Sequence, residues 1–513
     1  MSESRLDKTL LNAKANLLFY FLSLAISFFT RKIFLDALGV EFVGFTGTVS
    51  NLLGFLNLAE LGIGTAIGYV LYKPIFDKDY EKLSEIISVF GYIYRQIGLA
   101  ILGLGVVMSC FLPLIFKDIP FDWGVVYFVY FSFLFSSLLG YFVNYKQTLL
   151  GADQRNYVVT RYFQSITIVK TLIQAVLAYY TQNYYLWAAI EIVFGIVYSK
   201  VLNWKINQTY PWLESDIKLG KHLFKKYPEI FKYTKQLFVH KIGEFVQFQV
   251  TPFLLYAFVS LSTVALYGNY MIIIDKLALL INSLLGSTGA SIGNLIAEGK
   301  RHTALKVFWE LMAIRMFIAG VIVFGIYNLS GYFIALWLGS EYVLNSVVVT
   351  LICCRLFIFI SRGAVNQFIF GFGLFSDTWA PIVESVIFIS VAIVGGTFWD
   401  ISGVLMGGLV SSFIIVWGWK PIFLFRDGFQ LPQRTYWFSF VKYLGVFVSV
   451  FAVVTYVSQN YIVFIAPTDG FTSWVGYSAI VVLMFSTLYF VVLYATSRGM
   501  RDIVSRIKLK IKF

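Results

Sequence analysis

The chain has 513 residues, of which 59% are hydrophobic, 19% aromatic and only 13% charged. A soluble domain carries about 25% charged residues, so this composition cannot clothe a water-facing surface, and it excludes a soluble enzyme or binding module. The net charge of +13 does not indicate a nucleic-acid partner, because the cations sit in short loops between apolar runs and form no basic patch interleaved with exposed aromatics.

A bilayer span needs about 20 apolar residues. Spans are expected at 9–34, 41–72, 84–116, 122–149, 156–179, 184–206, 229–258, 263–297, 304–328, 343–369, 377–398, 401–422, 437–457 and 473–497. The fold class is therefore an all-α polytopic membrane protein with about fourteen transmembrane helices. No small-residue cleavage site follows the first run, so it reads as a retained helix rather than a signal peptide. "DALGVE" divides the first pair, "KDIPFDW" the third and fourth, and "YTQNY" the fifth and sixth. Cys110, Cys353 and Cys354 lie in apolar runs, and the only histidines are His222, His240 and His302. That spacing fits no metal motif, and the thiols are expected to be buried and inert.

Lys and Arg gather in alternate loops, from Arg5, Lys8 and Lys14 through Lys78 and Lys82, Lys146 and Arg155, Lys218 to Lys232, and Lys300 to Lys306, to the tail "RGMRDIVSRIKLKIKF". The opposite loops carry Asp36, Glu41, Asp118, Asp122, Glu341, Asp400 and Asp469, with Lys117 as the clear cation. This asymmetry places both termini in the cytoplasm. The basic, amphipathic stretch from Asn207 to Lys232 either lies along the anionic inner leaflet or is a solvated linker.

An internal repeat is written in the glycines. Gly44 matches Gly268 and Gly62 matches Gly286, both at an offset of 224. Gln147, Gly151 and Ser165 match Gln367, Gly371 and Ser385 at an offset of 220. This period covers six spans and preserves orientation, as in parallel-repeat transporters. The alternative is a bundle whose glycines merely permit close packing. The expected organisation is an N-terminal six-helix lobe at 1–207, an amphipathic linker at 208–228, a C-terminal six-helix lobe at 229–422, and two extra helices with a basic tail at 423–513.

Charges inside the bilayer are costly and must face protein or water. The first span carries Asn12, Asn16, Tyr20, Ser23, Ser27 and Arg31 at helical steps. The second aligns Ser50, Asn57 and Glu60, the seventh Lys241, Glu244, Gln247 and Thr251, and the eighth Asp275 and Asn282 beside Lys276. Together these stripes favour a shared aqueous cavity. The alternative is that Lys241–Glu244 and Asp275–Lys276 are internal ion pairs. Arg355 and Arg362 share a face of the tenth span, Lys170 and Glu191 lie in the fifth and sixth, and Arg95 and Arg315 are expected to snorkel. Arg31, Lys32, Lys241, Lys276, Arg355 and Arg362 suit an anionic cargo, especially a phosphate, with Asn57 and Gln247 as polar contacts. Glu60, Glu244 and Asp275 are candidate ion-coupling carboxylates; for Glu60 the alternatives are a cavity ion pair and an interhelical hydrogen bond.

Residues 38 to 87, "LGVEFVGFTGTVSNLLGFLNLAELGIGTAIGYVLYKPIFDKDYEKLSEII", together with "LLGADQRNYVVTRYFQS" and "IALWLGSEYV", resemble Wzx-type polysaccharide flippases of the multidrug/oligosaccharidyl-lipid/polysaccharide exporter superfamily. The resemblance implies a MATE-like fold of two six-helix lobes plus two further helices. It implies a cargo of undecaprenyl-pyrophosphate-linked oligosaccharide, such as an O-antigen unit for lipopolysaccharide, crossing the bacterial inner membrane. It implies no catalytic residue, metal or cofactor, and leaves proton or sodium coupling open. Implied partners are the lipid-linked glycan, membrane lipids, a polysaccharide polymerase and a chain-length regulator. Relatives place cations in the central cavity, and Arg31, Lys241 and Lys276 fall on matching spans.

Two rivals remain. A drug or organic-cation antiporter of the same superfamily would favour an anionic, aromatic cavity. A membrane glycosyltransferase or O-antigen polymerase would need outward carboxylates, for which Asp36 and Glu41 are the candidates.

Overall fold

The computed structural model describes residues 5–56, 74–117, 119–153, 155–228, 250–285, 299–374, 376–462 and 466–511, with a few single positions between them. These residues are overwhelmingly helical, and ten helices among them are long and apolar enough to cross a membrane. That count is smaller than the expected fourteen for identifiable reasons. Asn156–Thr181 is long but not among the ten, the described part of the second span is the short Val40–Leu56, and Trp379–Phe429 counts as one run. The expected seventh span lies largely outside the described residues.

The chain forms two compact units, Met1–Ala265 and Leu266–Phe513. In the first, α1 (Arg5–Leu38) ends where Gly39 adopts a φ of 86°, a left-handed value open to glycine. α2 (Val40–Leu56) follows at once, then α3 (Tyr80–Ser109), opened by Asp79 accepting from the Lys82 N–H. α4 (Trp123–Phe142), the short α5 (Gln147–Ala152), α6 (Asn156–Thr181) and α7 (Tyr184–Thr209) complete the bundle. The α6–α7 turn works because Gln182 takes a left-handed φ of 48° and Asn183 caps α7 through the Leu186 N–H.

Lipid tails give no hydrophobic drive between helices, so such bundles hold by tight packing. Here that packing is aromatic. Phe42 stacks on Tyr184 at 4.4 Å and meets Trp187 edge-on at 5.4 Å, while Phe45 meets Phe116 at 5.1 Å. The unit extends to Ala265, beyond the boundary expected at 229, because Tyr256 packs on Phe116 and the Leu261 carbonyl sits against Gly44.

The stretch 208–228, expected as a linker, folds back onto α3. α8 (Ile217–Leu223) lies so close that a Cβ at Gly220 would fall 2.1 Å from the Ser88 carbonyl. Lys226 bridges to Glu85 at 2.7 Å, and Asp216 N–H donates to Ser88 Oγ at 3.0 Å.

In the second unit α9 (Leu261–Leu285), whose first turn belongs to the first unit, precedes α10 (Arg301–Trp337). α11 (Ser346–Ser361), capped by Asn345, leads into the short α12 (Gly363–Gly371). α13 (Trp379–Ser412) is broken at Trp399 and Asp400, where Asp400 has a φ of 49°. Its two arms run back along each other: a Cβ at Gly403 would lie 1.8 Å from the Gly395 carbonyl. The expected division between 398 and 401 is thus a tight helical hairpin. α14 (Arg434–Tyr461), α15 (Phe471–Thr496) and α16 (Arg498–Ile511) close the chain. Phe324 stacks on Phe485 at 4.1 Å in this core.

The two patches of the proposed repeat take one local form. Gln147 and Gly151 lie on α5, Gln367 and Gly371 on α12, and each short helix precedes a long one. The thiols depart from expectation: Cys353 is buried, but Cys110 and Cys354 are exposed on the helix surfaces.

Candidate functional site

The second unit brings together three of the expected site residues. Asp275 and Lys276 lie on α9, and Arg355 lies on α11. Lys276 and Arg355 both act electrostatically on the Asp275 carboxylate, and Arg355 also acts on the Tyr267 hydroxyl. Asp275 is exposed and Lys276 half-buried. Arg355 has a close-fitting seat against a glycine. A Cβ at Gly408, on the second arm of α13, would stand 3.1 Å from the guanidinium carbon. The guanidinium therefore lies flat against helix backbone, fixed in place with its charge beside a carboxylate. Such a planar fork is the group that holds phosphate oxygens in pairs.

Arg362 stands at the joint between α11 and α12, its guanidinium 4.9 Å from the Phe359 ring centroid. Arg315 does not snorkel as expected. α10 buries it to 4% exposure, Nη1 donates to the Ile360 carbonyl at 3.3 Å, and a Cβ at Gly363 would collide with Nη1. It thus fastens α10 to the α11–α12 joint. The reason is position: Arg315 lies mid-helix, in the expected span 304–328 as in α10, too far from either end to reach water, so it takes its partner from the neighbouring joint.

In the first unit, Arg31 is half-buried and donates from Nη2 to the Ala265 carbonyl at 3.0 Å. Lys32 is exposed. The polar stripe of α1 is partly satisfied within the helix, since Ser23 donates to the Tyr20 carbonyl and Ser27 to the Ser23 carbonyl. Asn16 accepts from Thr160 on α6 at 3.4 Å. Asn57, Glu60, Lys241, Glu244 and Gln247 lie outside the described residues.

The structure also joins two charges that the sequence named without pairing. Lys170 on α6 reaches both carboxylate oxygens of Glu191 on α7 at 2.9 Å. Gln174 donates to Glu191 Oε1 at 3.0 Å and to the Trp187 carbonyl at 3.1 Å, and Ser136 donates to the Glu191 carbonyl at 2.8 Å. The pair borders a cavity of about 530 Å³ lined in part by Gln147, Thr167 and Tyr198. The signal was present in the sequence. Lys170 and Glu191 sit on opposite sides of the Gln182–Asn183 turn at levels that differ by about one helical turn, so an antiparallel hairpin sets them side by side.

With this geometry the architecture defines a class: a multi-pass helical membrane protein with a MurJ- and MATE-like fold. A lipid II flippase MurJ in an inward closed conformation matches over 96% of this chain and 99% of its own, with a TM-score of 0.64 and 14% identity. An inward-facing multidrug resistance MATE family transporter of the MOP superfamily matches over 80% of this chain and 95% of its own, with a TM-score of 0.57 and 14% identity. The Vibrio cholerae MATE transporter VcmN, in a mutant form, matches over 82% of this chain and 98% of its own, with a TM-score of 0.51 and 13% identity. No family model and no curated protein matches the sequence.

Proposed function

We propose that the chain is a flippase. It carries an oligosaccharide linked to undecaprenyl pyrophosphate from the inner to the outer leaflet of the bacterial cytoplasmic membrane, for surface polysaccharide synthesis. Both termini are cytoplasmic, a polymerase and chain-length regulator act downstream, and the protein makes and breaks no bond. The observation that carries this reading is coverage. The flippase fold matches this chain end to end, whereas the MATE folds leave about a fifth of it unmatched. That shortfall is comparable in length with the segment 423–513.

The chemistry agrees. Arg355, held flat on Gly408, and Lys276 offer positive charge beside Asp275. A pyrophosphate exchanges water for these cations while the prenyl tail remains in lipid, and alternating access completes the transfer. The decisive experiment is reconstitution into vesicles with a labelled lipid-linked glycan, with and without an imposed proton or sodium gradient. Protein-dependent appearance of glycan on the opposite face supports flipping, and gradient dependence identifies the coupling ion. No protein-dependent movement of glycan under either gradient overturns the reading.

The MATE likeness favours one alternative, an ion-coupled antiporter of organic cations, in which Asp275 would face the cargo. Gradient-driven uptake of an organic cation by the same vesicles, with a static glycan, would establish it.

A further inference from the structure

Three helices of the second unit come to one face of the membrane region. α10 and α14 begin there and α15 ends there, so their termini and the start of α16 enclose a hollow of about 670 Å³. Its lining carries the cations Lys306, Lys442, Arg498 and Arg501 and the aromatics Trp309 and Phe438. The four cations are exposed. Asp502 is the carboxylate in the lining, 3.6 Å from Lys306, so the hollow keeps a positive excess.

The hollow is built rather than incidental. A Cβ at Gly499 would fall 2.2 Å from the Trp309 carbonyl, so α16 starts in direct backbone contact with α10. Tyr443 and Ser497, both in the lining, share a hydrogen bond of 2.5 Å, and the Met500 N–H donates to Ser497 Oγ. Arg506 binds Glu310 at 3.0 Å, with Glu310 only 1% exposed, which holds the basic face of α16 in register. Beside the cations, Phe438 is 80% and Val441 61% exposed at the start of α14. A cationic, hydroxyl-lined hollow next to bare apolar side chains matches a molecule with an anionic head and apolar chains. Basic pockets between transmembrane helices hold phospholipid headgroups in this way, and aromatic rings with a polar edge settle at the same depth.

We propose that this hollow binds the phosphodiester headgroup of an anionic membrane phospholipid, with the acyl chains lying along Phe438 and Val441. Lys442 and Arg498 take opposite sides of the phosphate, and the lipid ties α16 to α10 and α14. The site is separate from Asp275, Lys276 and Arg355, and its occupancy does not depend on what the protein transports.

Native mass spectrometry of the full-length protein in detergent tests this, with phosphatidylglycerol, phosphatidylcholine, inorganic phosphate and a lipid-linked pyrophosphate as probes. Phosphatidylglycerol is expected to bind in preference to phosphatidylcholine. Its affinity should fall by about fivefold for each cation removed in Lys442→Gln and Arg498→Gln. Lys442→Arg with Arg498→Lys should retain binding, as should Arg426→Gln, which removes an exposed cation elsewhere in the unit. Equal retention by the wild type and the double glutamine variant overturns the proposal. Displacement by inorganic phosphate at matched concentration points instead to a free-anion site. Displacement by the lipid-linked pyrophosphate points to a cargo dock. Either displacement overturns the proposal.

Discussion

Each compact unit carries a charged constellation within its helices, and the two are built differently. In the first, Lys170, Glu191, Gln174 and Ser136 form a network in which every carboxylate oxygen of Glu191 has a donor within 2.9 Å. In the second, Asp275 stays exposed while Lys276 and Arg355 both act on it, and Arg355 is located by the backbone at Gly408. A charge inside a bilayer is retained where it is neutralised or where it works. The first constellation is neutralised between neighbouring helices of a hairpin. The second leaves its carboxylate exposed beside two half-buried cations, one of them on a fixed frame, which suits an exchange of partners.

The sharpest way to break that contrast is to remove one side of the closed pair. Lys170→Met leaves Glu191 charged and half-buried, which should cost somewhat less than the roughly 3–5 kcal/mol lost with a fully buried partner. A large drop in melting temperature and in folded yield is expected. The double change Lys170→Met with Glu191→Met replaces the pair with apolar groups of similar size and should regain most of the stability. Vesicles containing the double variant should still flip glycan. A stable but inactive double variant would move the working charges into the first unit.

The converse test lies in the second unit. Arg355→Ala should leave the protein folded and remove a charge-assisted contact worth about 1.5–3 kcal/mol, so initial transport rates should fall by roughly tenfold or more. Asp275→Asn keeps the shape of α9 and changes the charge balance around Arg355. If Asp275 couples an ion, the variant loses gradient dependence rather than cargo affinity. Unchanged rates in both variants would erase the distinction between the two constellations. A smaller effect is expected from Gly408→Ala. The added Cβ meets the guanidinium at 3.1 Å, so the arginine shifts by a few tenths of an ångström, and a rate loss with little change in stability is the signature.

Much of this was legible in the sequence. Composition and the spacing of apolar runs give the all-helical membrane class, and the "DALGVE" divider at Gly39 and the break between the spans ending at 398 and starting at 401 mark real reversals with positive φ. The Gln-to-Gly patches mark a repeat in the sequence, and the structure gives both of them one local form, the short helices 147–152 and 363–371. What escaped depends on contacts across the fold. Nothing local announces that Gly220 is needed to lay 217–223 on Ser88, or that Gly363 and Gly408 are seats for Arg315 and Arg355. In each case glycine records the close approach of a partner distant in sequence, and periodicity along one helix is blind to that. Arg315 was misplaced for the same reason, since exposure depends on which neighbours wall the middle of a long helix.

The finest test concerns Ser136, which supports Glu191 from a third helix. Its hydroxyl donates to the Glu191 backbone carbonyl at 2.8 Å. That carbonyl belongs to α7 and has an intrahelical donor available, so the serine adds a second bond rather than the only one. Ser136→Ala should therefore cost no more than about 0.5–1.5 kcal/mol, read as a small fall in melting temperature with transport unchanged. In the Lys170→Met and Glu191→Met background the cost should persist, because the bond goes to backbone and not to the carboxylate. A cost that vanished in that background would mean that Ser136 acts through the ion pair. The first-unit network would then be a single coupled device rather than a set of separate fastenings.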